Sequence, residues 1–175
     1  MKRILLLITI LPLFSFSQVR FATEVDFRNT ILQSGLNETQ GYNGTIKLGY
    51  ASGHFQAEAF AEVYPNIDYT SIGMNIYYIF NPESKLRPLI GLQLSTINRN
   101  SAHVVNGQNI YGKLNGSFGA NASLEWHFTN WGFLSARWEM KYRSDLQTFE
   151  QQKNKEQPFM DYMRGSGFVG IGYKF

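Results

Sequence analysis

Inside the ends of eight stretches of this sequence, charged side chains keep to one parity of position, and the other parity is uncharged and mostly apolar. A period of two belongs to extended chain, where successive side chains point to opposite faces. A helix repeats every 3.6 residues and cannot sustain it. The stretches run roughly over 19–31, 41–52, 55–64, 68–80, 86–97, 110–128, 131–144 and 160–175. Clusters of Gly, Asn, Asp, Ser and Pro separate them, as turns require. After position 17 there is no amphipathic helical repeat and no apolar run of 18 residues. The pattern predicts one all-β domain of eight antiparallel strands.

The uncharged face carries Val19, Phe21, Thr23, Val25 and Phe27 in the first stretch, Thr70, Ile72, Met74 and Ile76 in the fourth, and Leu114, Gly116, Phe118 and Ala120 in the sixth. The opposite face carries Arg20, Glu24, Asp26, Arg28, Lys47, Glu58, Glu62, Arg87, Glu125, Arg137, Glu139, Lys141, Arg143, Arg164 and Lys174. Two architectures produce such segregation. A soluble barrel or sandwich turns the apolar face inward. A membrane barrel turns it to lipid and lines its interior with the polar face.

Three features favour the membrane. Residues 1–17 read as a secretory signal: Lys2 and Arg3, an apolar run from Ile4 to Phe16, and the small residues Ser15 and Ser17 before a cut ahead of Gln18. The run is too short for a spanning helix, which needs about 20 residues. The aromatics Phe21, Tyr50, Phe55, Tyr78, Phe80, Trp126, Phe128 and Tyr173 also gather at one end of the strands, as an interfacial girdle does, with Tyr42 and Tyr142 at the other end. Finally, Ala57, Ala59, Ala61, Ala120 and Ala122 would fill a water-excluded core poorly but can face lipid. The slightly negative mean hydropathy does not weigh against this, because apolar and polar residues alternate. The expected division is a signal peptide over 1–17 and an eight-stranded antiparallel up-and-down transmembrane β-barrel over 18–175.

Connection lengths orient the barrel. Ser52-Gly53-His54, 81–85 and Thr129-Asn130 are short and lie on the side of both chain ends, the periplasmic side in such barrels. Stretches 32–40, 98–109 and 145–159 are longer and face out; the connection at Pro65-Asn66 is the exception. Pro88 sits near the start of its strand, where a missing N–H is tolerated.

The closing strand Gly167-Phe168-Val169-Gly170-Ile171-Gly172-Tyr173-Lys174-Phe175, the stretch 86–92 after a turn, and Gly119 to Phe128 resemble the small outer-membrane barrels of the OmpA/OmpX type. The resemblance covers the whole mature chain and specifies a fold, not an activity. It implies outer-membrane lipid as surroundings, a Gram-negative-type envelope as location, and recognition of Phe175 by the barrel-assembly machinery. No peptidoglycan-binding domain is expected, since the chain ends with the eighth strand.

Members of this architecture include enzymes acting on lipid A or on peptides, so the residues must be searched for chemistry. The chain has no Cys, which excludes disulfides and thiolate sites. Its three His fall in a turn (His54), a long loop (His103) and a strand end (His127). A triad of His127 and Glu125 with Ser123 or Ser135 is conceivable, but an interior polar network is the simpler reading. Glu24 with Asp26, and Glu58 with Glu62, share strand faces as acid–base pairs do. Nine interior basic residues accompany six acidic ones, so mutual ion pairing is expected instead. Gly167, Gly170 and Gly172 precede no helix and are expected to make room for bulky neighbours. The sequons at Asn43 and Asn115 lie in strands and carry no weight. Without Lys2 and Arg3 the chain has 14 basic and 13 acidic residues, which gives no basis for nucleic-acid binding. The expected function is structural or surface-interacting, without cofactor or catalysis, with a ligand taken, if at all, through 98–109 and 145–159. A lipid-modifying enzyme and a narrow pore are the alternatives; eight strands enclose little more than their own side chains.

Overall fold

The computed structural model describes residues 18–32, 41–99, 104–105, 108–109, 115–147 and 158–175. The signal segment, His103, Leu114, most of stretches 32–40 and 145–159 and half of 98–109 lie outside them. The described residues form ten strands: β1 (Gln18–Asp26), β2 (Gly44–Ser52), β3 (Phe55–Tyr64), β4 (Tyr69–Ile79), β5 (Leu86–Arg99), β6 (Val104–Val105), β7 (Gln108–Asn109), β8 (Asn115–His127), β9 (Gly132–Arg143) and β10 (Met163–Lys174). Eight close a barrel in the order β1-β10-β9-β8-β5-β4-β3-β2, each antiparallel to its neighbours, and β6 and β7 pair separately. Closure is made by β1 on β10, with Phe21 opposite Tyr173 and Val25 opposite Val169. Closure leaves no strand edge unpaired, which a β-structure in lipid requires.

Side-chain parity decides between the two architectures. In β3, exposed and buried positions alternate without a break from Phe55 to Tyr64. The exposed positions are the apolar ones: Ile72 is 68% exposed, Leu92 70% and Leu94 69%, whereas Ser71, Asn75 and Gln93 are buried. Such a wall is the inverse of a soluble barrel's. Burying it in hydrocarbon is what stabilises it.

Short turns join β2 to β3, β4 to β5 and β8 to β9, on the side where the chain begins and ends. Gly53 (φ 56°) and Asn81 (φ 53°) adopt the left-handed conformation there. In the last turn the Thr129 hydroxyl accepts from the Gly132 amide at 2.7 Å. At the other end, Pro65–Ile67 forms one 3₁₀ turn closed by Asp68 at φ 48°.

The first stretch ends earlier than its alternation predicts. Asp26 is fully buried, and its carboxylate accepts from the Asn29 amide at 2.6 Å. That caps a five-residue π-helix over Phe27–Ile31. Thr30 holds the returning chain, accepting from the Asn43 amide at 2.9 Å. Side-chain capping competes with the ladder here and wins. Phe27 and Arg28 therefore leave the strand, and β2 begins only at Gly44.

Candidate functional site

Inward parity brings most of the predicted charged residues into the lumen, where a connected series of polar contacts runs from one end to the other. Near the chain ends, His127 Nε2 lies 3.0 Å from Glu125 Oε2, and Arg20 Nη2 lies 2.5 Å from Glu125 Oε1. Arg20 also bonds Gln56, whose amide donates to Glu58 at 2.7 Å. Lys47 Nζ stands between Glu58 at 3.3 Å and Glu24 at 2.8 Å. Glu24 is the hub: it accepts from Lys47, from Arg137 Nε at 2.8 Å and from Ser135 at 3.2 Å. Arg137 continues to Glu139, and Lys141 joins Glu139 at 2.8 Å to Glu62 at 2.7 Å. The chain of contacts ties β1, β2, β3, β8 and β9 together across the barrel.

Aromatic rings of the same parity lie beneath these cations. Arg20 stands 4.4 Å from the Phe133 ring centre, Arg137 4.3 Å from Phe168, and Arg143 4.4 Å from Tyr69. A guanidinium out of bulk water gains from a ring face as well as from a carboxylate. Room for these groups comes from glycines. A Cβ at Gly172 would stand 2.1 Å from the Phe133 ring, and one at Gly170 2.2 Å from the Thr23 carbonyl and 2.6 Å from Glu24. Gly167 departs from expectation, because it faces outward with nothing within 4 Å of that position.

The β4, β5 and β8 side of the lumen is different. Ser71, Ser95 and Ser117 form a hydroxyl row at 2.9 and 2.6 Å, and Asn121 donates to Asn75 at 3.3 Å. Apolar clusters lie above and below them: Tyr64, Tyr69 and Ile97 at one end, Tyr77, Ile79 and Leu89 at the other.

Six predicted residues stand apart from this series, among them half-buried Lys174 near the end of β10. Arg28 is exposed in the π-helix, and Asp26 caps that helix instead of meeting a cation. Arg164 is exposed and bonds the carbonyls of Asp161 and Met163. Half-buried Arg87, opposite Glu125 in register, donates to the Ser84 carbonyl at 2.9 Å. Arg143 pairs with Asp145 at 2.6 Å, and Asp145 also meets Arg99 at 3.5 Å. Arg99 and Asp145 were missed because they lie beyond the predicted strand ends. Nothing in the charge pattern of this parity marks the interior rings.

The conceivable triad is not assembled. Ser123 donates to the Ala136 carbonyl at 3.3 Å and Ser135 to Glu24. His54 Nδ1 meets the Ile79 carbonyl at 2.9 Å in its turn, and the ring stacks on Tyr78. Outside the barrel, Tyr78 touches Phe55 and Phe80, and a second run links Trp126, Phe128, Trp131 and Tyr173. Trp131, in the turn, was not foreseen; Tyr50 is half-buried.

Two solved structures resemble this barrel along nearly its whole length. One is Neisserial surface protein A, with 18% identity over 91% of this chain and 96% of that one, at a TM-score of 0.53. The other is the Yersinia pestis outer membrane protein Ail in a phospholipid bilayer nanodisc, with 11% identity over 91% and 99% and a TM-score of 0.50. The chain has the fold of the small eight-stranded outer-membrane barrels. No protein-family model matches it, and no curated protein matches its sequence.

Proposed function

We propose that this chain is an integral outer-membrane barrel whose lumen is a cross-linked polar core, and that its role is structural or surface-interacting. The observation that carries this reading is the series of contacts from His127 to Glu62 inside an apolar wall. Buried charges satisfied by one another tie strands together and leave no wide aqueous path. The function then rests with the wall and with the ends of the barrel, including stretches 98–109 and 145–159. A pore would need a polar lumen wider than its own side chains. An enzyme would need a nucleophile, base and orienter in mutual reach.

Fractionation tests the placement. The protein is expected in the outer membrane, with different mobility in SDS before and after boiling; recovery from the soluble periplasm without a heat-dependent shift would contradict it. Lipid A from a deletion strain separates this reading from a lipid-modifying enzyme. Unchanged lipid A is expected, and loss of a modification would move the enzyme to first place. Phe175, 81% exposed with its amide on the Val19 carbonyl, is proposed as the contact for the barrel-assembly machinery. Deleting it should slow assembly without destabilising the folded barrel, and normal assembly would remove that role.

A further inference from the structure

At the mouth of the lumen beside the chain ends, the balance of charge fails. Following the wall from β1 through β10, β9 and β8 to β5, inward parity presents Arg20, Lys174, Phe133, Glu125 with His127, and Arg87. Backbone register sets two pairs side by side, Lys174 opposite Arg20 and Arg87 opposite Glu125. The Glu125 carboxylate is already occupied, by Arg20 at 2.5 Å and by His127 at 3.0 Å. Arg87 and Lys174 are left over. Each lies within electrostatic range of the other, of Arg20 and of His127. Glu83, in the neighbouring turn, is exposed. Among the described residues, neither it nor the terminal carboxylate at Phe175 forms an ion pair with Arg87 or Lys174.

The donors of these two cations are largely unused. Arg87 gives Nε to the Ser84 carbonyl at 2.9 Å, and its two terminal nitrogens meet no acceptor among the described residues. Both side chains are half-buried, so they belong to the mouth and not to open solvent. Beside them His127 is buried. An ionised carboxylate only accepts, so Nε2 carries the proton toward Glu125 and Nδ1 is the acceptor of a neutral ring. Nδ1 is buried without a partner among the described residues. A buried acceptor of this kind calls for a donor. The mouth thus offers two surplus positive charges, one guanidinium fork and one acceptor in need of a proton.

We propose that this mouth binds one inorganic phosphate ion from the periplasm, with its oxygens on Arg87 and Lys174 and its O–H directed to His127 Nδ1. Guanidinium matches phosphate oxygens in paired, charge-assisted hydrogen bonds, and an ammonium adds a point charge. Near neutral pH inorganic phosphate carries up to two negative charges and keeps at least one O–H. Sulfate has the charge and the oxygens but no proton to give. A phosphodiester headgroup has one charge and no O–H. The barrel fold carries the site itself; the periplasmic source of the ion rests on the orientation proposed above.

Calorimetric titration tests it. The purified protein, checked for folding by its heat-dependent shift in SDS, is placed in phosphatidylcholine nanodiscs and titrated with inorganic phosphate or with sulfate at equal ionic strength and neutral pH. Phosphate is expected to bind several-fold more tightly than sulfate. Arg87→Gln and Lys174→Gln should each weaken it several-fold and together abolish it. The SDS shift should survive in both, since neither residue belongs to an ion pair among the described residues. Arg28→Gln, at the other end of the barrel, should leave binding unchanged. Equal affinity for the two anions would overturn the site, as would phosphate binding that persists in the double variant. Replacing part of the phosphatidylcholine with phosphatidylglycerol should not change the affinity; loss of phosphate binding there would give the cations to a lipid headgroup and overturn the assignment to the free ion. A native protein without the heat-dependent shift would contradict the membrane reading, whereas a shifted protein that takes up no phosphate contradicts the site alone.

Discussion

The two sides of the lumen solve the same burial problem with different chemistry. On β1, β2, β3 and β9, long charged side chains cross the barrel and meet at Glu24, Glu139 and Glu62. On β4, β5 and β8, short hydroxyls and amides reach no further than the next strand but one, between two apolar clusters. The first side couples distant strands. The second fills space. Losing a member should therefore cost much more on the first side, because the group left behind is an ion.

The largest effect is expected at the hub. Glu24→Ala leaves Lys47 and Arg137 sharing fewer carboxylates, and breaking a buried pair costs about 3–5 kcal/mol. Urea unfolding in lipid vesicles measures this. Glu24→Leu combined with Arg137→Met should be less destabilised than Glu24→Ala, since it strands less charge. A double variant worse than the single one would break the comparison.

Glu24 also depends on the space above Gly170. Gly170→Ala puts a methyl 2.2 Å from a backbone carbonyl that cannot move cheaply, so a loss of about 1–3 kcal/mol is expected in the same titration. Ser95→Ala on the neutral side removes one link of the hydroxyl row and should cost about 1 kcal/mol. A cost matching that of Glu24→Ala would erase the distinction between the sides. Gly167→Ala is the smallest change and has the opposite sign. Its added methyl meets open space, so stability should rise by about 0.4–1 kcal/mol. A loss there would mean that the outer wall packs more tightly than its geometry indicates.

Much of this was legible in the sequence because parity is a one-bit signal that eight strands repeat. The alternation from Phe55 to Tyr64 needed no tertiary information, nor did the absence of charge on the outer face. Partners were not legible. Whether Arg137 meets Glu24 or Glu58 depends on the stagger of strands far apart in sequence, which closure of the barrel sets. Arg28 continues the charged parity in sequence but not in space, because Asp26 caps the Asn29 amide and that local bond competes with the strand. Phe133 and Phe168 were overlooked for a related reason. An aromatic on a charged parity reads as an interruption until the cation above it is known.

In the proposed reading, the lumen is closed by its own ion pairs. Planar-bilayer conductance of purified, heat-modifiable monomer tests it most directly. The account predicts no stable open channel for the native protein. Long-lived ohmic openings from correctly folded monomer would contradict the cross-linked lumen and make the pore the better reading.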